Sequence, residues 1–376
     1  MLNPQVMVVG AGPAGMSAAL AAADCGVKVL LVDFFSQPGG QLVKQTHKFF
    51  GSRGQYAGVR GIEIARILGE KVRSHPHIEM LLDTQVLGYY PDGVLTMERS
   101  VDGGSEYLKA RPRRLVVCAG ASEKPLAFPG NDLPGVYGAG AVQTLMNVHG
   151  VMPGRRAVMV GAGNIGLIIS YQLRQAGVEV AAVVEAAPVI GGYAVHASKI
   201  RRLGIPILTS HSVKEAHGER ELEAVTVWRV DERWQGIPGT ERRFEADVLC
   251  LAVGLSPLAE LLWQAGCRMA YVPELGGHVP WHDEHQQTSV PGIFVAGDAA
   301  GVEEASSAMV AGRIAGLAAA ASLGACPRYR ELAGEARAQL EALRAGPPGE
   351  KIRRGLTRLE EVGRRVRAVR CGGRTG

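Results

Sequence analysis

Two stretches of the chain repeat one arrangement of apolar and permissive positions. In the first, the apolar run 5–9 enters Gly10-Ala11-Gly12-Pro13-Ala14-Gly15. An Ala-rich helical stretch (16–24) follows, then Gly26, then the apolar run VKVLLV, which ends in Asp33. In the second, residues 157–160 enter Gly161-Ala162-Gly163-Asn164-Ile165-Gly166. A helix runs to Gly177, and VEVAAVV closes in Glu185. Each predicts strand, Gly-rich turn, helix, strand and acid. A third apolar run, in the segment TSVPGIFVAGD (288–298), ends in Gly297-Asp298 and precedes a helix-like stretch over about 304–323.

The spacing has a physical reading. The first glycine permits the tight turn, the second lets the backbone approach a pyrophosphate, and the third lets the helix pack close on the strand. The helix N-terminus offers N–H groups and a positive dipole end to phosphates. The acid, 18 residues beyond the third glycine in one unit and 19 in the other, accepts hydrogen bonds from ribose hydroxyls. A lone GxGxxG carries little weight, but two complete units, each with its acid, predict two dinucleotide sites. The Gly-Asp strand suits a flavin at the first. Asp298 accepts from ribitol hydroxyls, and the helix start at Ala305 and Ser306 stabilises negative charge at a reduced ring.

Composition sharpens this. Hydrophobic residues make up 47% and charged residues 20%, which excludes a disordered or fibrous chain. Glycine, 50 of 376 residues, is nearly twice the usual share of about 7%. With no Gly-X-Y period, the excess belongs to tight turns and close backbone approaches. The net charge of +5 is local: residues 331–376 hold 11 Lys+Arg and 6 Asp+Glu, and the remainder holds 30 of each sign. The body therefore gives no argument for nucleic-acid binding. Six cysteines (Cys25, Cys118, Cys250, Cys267, Cys326, Cys371) include no C-x-x-C. That spacing argues against a thioredoxin-type disulfide, a Cys-rich metal site or a disulfide framework, and for a reducing compartment. Without a signal-like start or an apolar run of about 20 residues, a cytoplasmic protein with no membrane span is expected.

The expected class is α/β: two Rossmann-like, three-layer ββα dinucleotide-binding domains, the second inserted in the first, plus a C-terminal helical extension. Residues 1–122 and 255–330 would form the discontinuous first domain and 123–254 the inserted one. Residues 331–376 would form the basic extension, broken at Gly346-Pro347-Pro348-Gly349. The crossings VVCAGAS (116–122) and LCLAVGLSP (249–257) suit backbone passing a cofactor, which adds Ala119, Gly120 and Gly254 to the candidate contacts. His278, His282 and His285 have tempting metal spacing but lie in a turn-rich stretch, so no metal site is expected. Lys44, His47 and Lys48 read as solvated surface, and Tyr193 and His196 as structural. In the tail, Arg353, Arg354, Arg358, Arg364, Arg365, Arg367 and Arg370 alternate with Ile352, Leu356, Leu359, Val362 and Val366. That is a basic amphipathic helix, for self-docking or for an acidic partner.

This layout resembles the two-dinucleotide-binding-domain flavoproteins of the thioredoxin reductase-like branch, over residues 1 to about 325. The segment Gly39-Gly40-Gln41-Leu42, with Thr46 after it, resembles that branch's flavin-ring loop, which implies Gln41 and Thr46 beside the isoalloxazine. Gly40, Leu42 and Val86 complete the candidate cofactor contacts. The redox C-x-x-C of that branch is missing, so disulfide reduction is not expected. The runs 133–166 and 296–320 are similar to FAD-binding subunits of multisubunit amino-acid dehydrogenases: opine oxidase, hydrogen cyanide synthase, dye-linked proline and D-hydroxyproline dehydrogenases, and the alpha chain of sarcosine oxidase. Many such relatives carry a C-terminal iron–sulfur module, whereas this tail offers only Cys326 and Cys371.

The resemblance implies an FAD-dependent oxidoreductase that works as one subunit of a larger enzyme on an amino-acid or amine substrate. Its partners would be a second flavoprotein subunit, an iron–sulfur electron carrier, or both. The flavin carries the chemistry, so no catalytic side chain is assigned. No arginine follows Glu185 to take a 2′-phosphate, which favours NAD(H) over NADP(H). The resemblance also leaves room for ATP or ADP at the second site. Two alternatives stand: a stand-alone NAD(P)H:ferredoxin or quinone-type reductase, and a non-catalytic nucleotide-binding scaffold. Deleting 331–376 is expected to leave FAD bound and to weaken partner association.

Overall fold

The apolar run before the first glycine turn forms β1 (Val6–Val9), buried on both faces. The computed structural model describes residues 1–50 and 52–372, with side chains through Gly363. From β1 the chain continues through α1 (Pro13–Ala23), β2 (Val29–Val32), α2 (Gly61–Ser74), β3 (Ile78–Leu81), β4 (Thr84–Tyr89), β5 (Leu95–Val101), β6 (Gly104–Ala110) and β7 (Arg114–Val117). After β8 (Ala121–Glu123) come β9 (Val136–Gly138), α3 (Ala139–Asn147), β10 (Arg156–Val160), α4 (Asn164–Gln175), β11 (Glu179–Glu185), α5 (Ala194–Arg202), β12 (Ile207–Thr209), β13 (His211–His217), β14 (Ala224–Arg229), β15 (Arg242–Glu245) and β16 (Val248–Leu251). The last part holds β17 (Leu255–Pro257), α6 (Glu260–Gln264), β18 (Met269–Val272), β19 (Gly277–Pro280), β20 (Ile293–Val295), α7 (Ala305–Ala321), α8 (Tyr329–Leu343) and α9 (Glu350–Gly372). These elements make two units, Met1–Ser122 with Ser256–Gly376, and Glu123–Leu255.

Each unit is built on a five-stranded parallel sheet. In the first the order is β20-β7-β1-β2-β3, and in the second β12-β11-β10-β16-β9. The strand entering the glycine turn is third in each sheet. A three-stranded antiparallel sheet accompanies each, β4-β5-β6 in the first and β13-β14-β15 in the second. The two-residue period of a strand divides β1 between two cores. Val6 and Val8 join the helices, with Met16, Ile64, Leu68 and Ile314. Met7 and Val9 face the other layer, with Leu95, Met97 and Leu115. Burial on both faces is why these strands read as unbroken apolar runs. The chain is an α/β protein of Rossmann-like parallel sheets.

Small residues set the distance between α1 and α7. A Cβ on Gly312 would collide with the Ala14 carbonyl, and one on Gly316 with the Ala18 carbonyl. The two backbones thus touch over two turns, which holds α7 against the helix that leaves the first glycine turn.

The basic extension is not a solvated appendage. Ala333, Ala336 and Leu340 of α8 are buried, the last two in the helical core of the first unit. Ile352, Leu356, Leu359 and Val362 of α9 pack with Val272, Leu275, Val279 and Trp281. A Cβ on Gly349 would strike the Arg344 carbonyl, so the Gly-Pro-Pro-Gly break is a tight turn between the helices. Arg344, at the end of α8, pairs with Glu303 in the loop before α7, its Nε donating to Oε2 at 3.0 Å; both side chains are mostly buried. Deleting 331–376 would strip this packing from the first unit. The side chains of Arg364, Arg365, Val366, Arg367, Arg370 and Cys371 lie outside the described residues.

Candidate functional site

The two glycine turns are built alike along the backbone. Gly10 has φ +100° and Gly161 φ +107°, a left-handed region costly for any side chain. A Cβ on Gly10 would strike the Cys118 carbonyl beyond β7, and one on Gly161 the Ala252 carbonyl beyond β16. The Gly10 N–H donates to Val32 O at 2.8 Å, and the Gly161 N–H to Val184 O at 2.7 Å. The third glycines, Gly15 and Gly166, press on the carbonyls of Gly10 and Gly161. They close the helix onto the strand.

The middle glycines differ from their neighbours. Around Gly163 no atom lies within 4 Å of a Cβ position, and around Gly12 only the Gly40 Cα does, at 3.9 Å. Gly12 and Gly163 are also the N-caps of α1 and α4, and no side chain caps either helix. Each turn is therefore a cradle that a Cβ would fill, at a helix N-terminus facing an anion's preferred charge. Pro13, Ala14 and Gly15 begin α1, and Asn164, Ile165 and Gly166 begin α4. Ile165 is exposed, while Asn164 Oδ1 accepts from the Tyr193 N–H at 2.8 Å.

Both acids tie the turn to the loop after it. Asp33 accepts from the Ala11 N–H through one oxygen and from the Phe35 N–H through the other, at 2.8 Å. Glu185 accepts from Ala162 at 2.7 Å and from Ala187 at 2.9 Å. A carboxylate has about four acceptor positions, so each acid keeps capacity for ribose hydroxyls. Burial pushes the Asp33 carboxyl above its ordinary value, against the lowering by its two backbone donors.

The structure shows a further repeat that the motif spacing alone does not reveal. Gly39-Gly40 follows Asp33 by six residues, and Gly191-Gly192 follows Glu185 by the same number. The Gly39 N–H donates to Ala11 O at 2.8 Å and the Gly192 N–H to Ala162 O at 2.9 Å. A Cβ on Gly40 would lie 2.8 Å from the Gly12 Cα, and one on Gly192 would lie 2.9 Å from the Gly163 carbonyl carbon. Both Gly-Gly pairs fold back over the middle glycine. The equal six-residue offset from each acid is the signal in the sequence that could have found them.

The remaining candidates fall on several elements. Gln41 is exposed, and Leu42 is wholly buried in the helical core, so its side chain serves packing. Thr46 is half-buried just beyond the short 3-10 helix Gly40–Lys44. Its neighbour Gln45, which no motif singles out, has a buried Oε1 without a hydrogen-bond partner. Val86 lies on β4 and is partly buried against the non-helical core. Ala119 and Gly120 follow β7, and Gly254 precedes β17 in the other unit. Gly297 and Asp298 follow β20, and Ala305 and Ser306 open α7. Burial, with added repulsion from Glu303 and Glu304, pushes the Asp298 carboxyl up to about 6, against lowering by a long hydrogen bond from the Glu303 N–H. Phe34 and Phe35, both exposed beside Asp33, offer apolar surface that the sequence reading also missed.

The other singled-out residues have local partners. His278 meets Trp263 and Tyr271 edge-on, His282 Nδ1 lies 3.0 Å from Asp283 O, and His285 Nδ1 lies 2.7 Å from the Tyr329 hydroxyl. Tyr193 stacks on buried His196, which burial and Lys199 hold below the ordinary imidazole value. Burial pushes Cys118 and Cys250 up to about 12, so neither is a thiolate nucleophile at neutral pH.

The sequence pattern of one family, pyridine nucleotide-disulphide oxidoreductase, matches residues 4–320. The chain belongs to that family. The family is one of FAD-dependent oxidoreductases, with FAD and a pyridine nucleotide as its cofactors. The chain is 30% identical over 335 residues to one of the subunits of opine oxidase from Agrobacterium tumefaciens, covering 85% of this chain and 65% of that protein. It is 31% identical to the HcnB subunit of hydrogen cyanide synthase from Pseudomonas aeruginosa, covering 84% and 70%. It is 30% identical to the alpha chain of sarcosine oxidase from Rhizobium meliloti, covering 78% of this chain but 28% of that one. The chain thus spans about two thirds of the first relative and little more than a quarter of the last. Thioredoxin reductase of T. acidophilum shares the fold, with TM-score 0.69 and 22% identity over 86% of this chain and 99% of that one. So does L-proline dehydrogenase of P. horikoshii, with TM-score 0.65 and 22% identity over 89% and 59%. Among the described residues no helix is long and apolar enough to cross a membrane.

Proposed function

We propose that this oxidoreductase is the FAD- and NAD(H)-binding subunit of a multisubunit amino-acid or secondary-amine dehydrogenase. The observation that carries the reading is the doubled cradle: glycine turn, bridging acid and returning Gly-Gly pair, complete in both units. The relatives named as enzyme subunits supply the multisubunit context and the substrate class. When bound, FAD supplies two-electron redox chemistry. The chain's own contribution is placement. Gly10, Gly12 and Gly15 admit a pyrophosphate at the start of α1, and Asp33 takes ribose hydroxyls. Gln41, Thr46 and the unpartnered Gln45 Oε1 would meet the flavin ring's polar edge. Asp298 would accept from ribitol hydroxyls, and the first turn of α7, at Ala305 and Ser306, would offset negative charge.

Gly161, Gly163, Gly166 and Glu185 would hold the second nucleotide. Both Glu185 oxygens are already fixed by backbone donors, and Ala186-Ala187-Pro188-Val189-Ile190 brings no cation. A 2′-phosphate there would meet a carboxylate with nothing to offset it, so NAD(H) is preferred over NADP(H). An amine oxidised on a partner chain would pass its electrons through this protein to a carrier.

The test is anaerobic titration of the yellow protein, purified with whatever co-elutes, by NADH and separately by candidate amines. Bleaching near 450 nm (about the usual flavin band) by NADH, with an amine-oxidising partner in the same fraction, supports the reading. NADH turnover with dye by the isolated chain would favour a stand-alone reductase instead. A yellow protein that NADH leaves oxidised, while ATP or ADP protects it from unfolding, would make the second site structural.

A further inference from the structure

We propose that Cys25 and Cys326 form a disulfide modification site that takes a low-molecular-weight disulfide as its oxidant and cross-links the end of α1 to the α7–α8 connection. The two residues are 301 positions apart in the chain, yet their sulfurs lie 2.8 Å apart. That is inside the contact distance of unbonded sulfurs and within an ångström of a disulfide bond of about 2.05 Å. Cys25 follows the last turn of α1, whose C-cap is Asp24, and Cys326 precedes α8. Both ends are already held. The collisions that side chains at Gly312 and Gly316 would make with Ala14 and Ala18 fix α1 on α7, and Cys326 sits in the helical core with Ala336 and Leu340 of α8. The two sulfurs are therefore carried by segments already packed together.

The chemistry balances as two exchanges. Cys25, the more exposed partner, attacks one sulfur of the oxidant as its thiolate, forming a mixed disulfide and releasing one thiol. The Cys326 sulfur then displaces the second thiol and forms the Cys25–Cys326 bond. Two S–H bonds are lost, one S–S bond forms, the oxidant's S–S bond is reduced to two thiols, and both protons end on those thiols. Burial and the neighbouring sulfur push the Cys25 thiol up to about 12, so the exchange is slow. The product is a cross-link that follows sustained oxidation, distinct from the flavin's turnover chemistry.

The experiment uses the full chain as purified, first reduced with dithiothreitol and then held with oxidised glutathione. Non-reducing peptide mapping is expected to yield one linked Cys25–Cys326 peptide, with a loss of two titratable thiols. The thermal midpoint should rise by about 5 °C, reversed by dithiothreitol. Cys25→Ser and Cys326→Ser should each lose the linked peptide and the reversible shift. Overturning results would be both thiols staying titratable in the wild type, glutathione captured at Cys25 without resolution, or a linked peptide with no gain in midpoint. The wild-type mapping decides the matter even where a variant folds poorly.

Discussion

Replacing Asp298 with Asn should stabilise the flavin-free protein while weakening its hold on flavin. The Asp298 carboxyl is pushed from 3.8 up to about 6, mainly by burial, with repulsion from Glu303 and Glu304 added. The one backbone donor, the Glu303 N–H, is 3.5 Å away and offsets little of this. An acid whose folded value is raised favours the folded state fully below its unfolded value, and loses that contribution as pH rises through the folded value. The window is therefore about pH 4 to 6, and above it the ionised carboxylate costs up to about 3 kcal/mol, at 1.36 kcal/mol per unit. Asn cannot ionise, so Asp298→Asn should recover that cost at pH 7.5. The thermal midpoint would rise by about 5–10 °C, with no difference from wild type near pH 4. In the holoprotein, ribitol hydroxyls donating to the carboxylate would stabilise its charged form, an interaction that the amide serves less well. Thermal melts of flavin-stripped wild type and variant at pH 4 and 7.5, with a fluorescence titration of FAD, measure both effects. The reasoning fails if the variant melts at or below the wild type at pH 7.5, or if FAD binds both equally.

Four further substitutions separate packing from binding. Gly163→Val enters open space, so its melting midpoint should stay within about 2 °C of wild type while nicotinamide-nucleotide affinity, read by calorimetry, falls more than about tenfold; Gly166→Ala, pressed on the Gly161 carbonyl, should instead destabilise the second unit by roughly 1–3 kcal/mol in urea melts. Gly312→Ala drives a methyl into the Ala14 carbonyl and should cost a similar amount, with flavin released at lower temperature because α1 and α7 separate; unchanged release would show that their contact does not hold the first cradle. Arg344→Ala leaves Glu303 mostly buried without its guanidinium, which should cost about 2–3 kcal/mol. An equal midpoint would mean that the extension does not brace the loop beside Asp298.

Local spacing carried much of this molecule into view. Strand, turn, helix and acid fall within some 30 residues of one another, so a tight turn, a close helix contact and a ribose acceptor each impose a residue type at a fixed offset. That is why Gly10, Gly161, Asp33 and Glu185 were legible, and why Asp298 stood out at the end of an apolar strand. Leu42 was less legible: a motif position marks where the backbone runs, while its side chain turns into the core.

What only the tertiary structure decided depends on contacts between distant segments. The return of Gly39-Gly40 and Gly191-Gly192 over the middle glycines is a backbone contact, for which a glycine pair in the sequence names no partner. The basic tail reads as an amphipathic helix for self-docking or for a partner, because its charges are visible and its cover is not. Val272, Leu275, Val279 and Trp281, which bury its apolar face, come from a hairpin about 80 residues earlier. Cys25 and Cys326 look unrelated along the chain, because their meeting depends on two helices packing backbone to backbone. The sequence determined the residue types and spacings of the two glycine turns, because those contacts are local. The fold decided which distant residues hold them in place, because those contacts depend on packing between segments far apart in the chain.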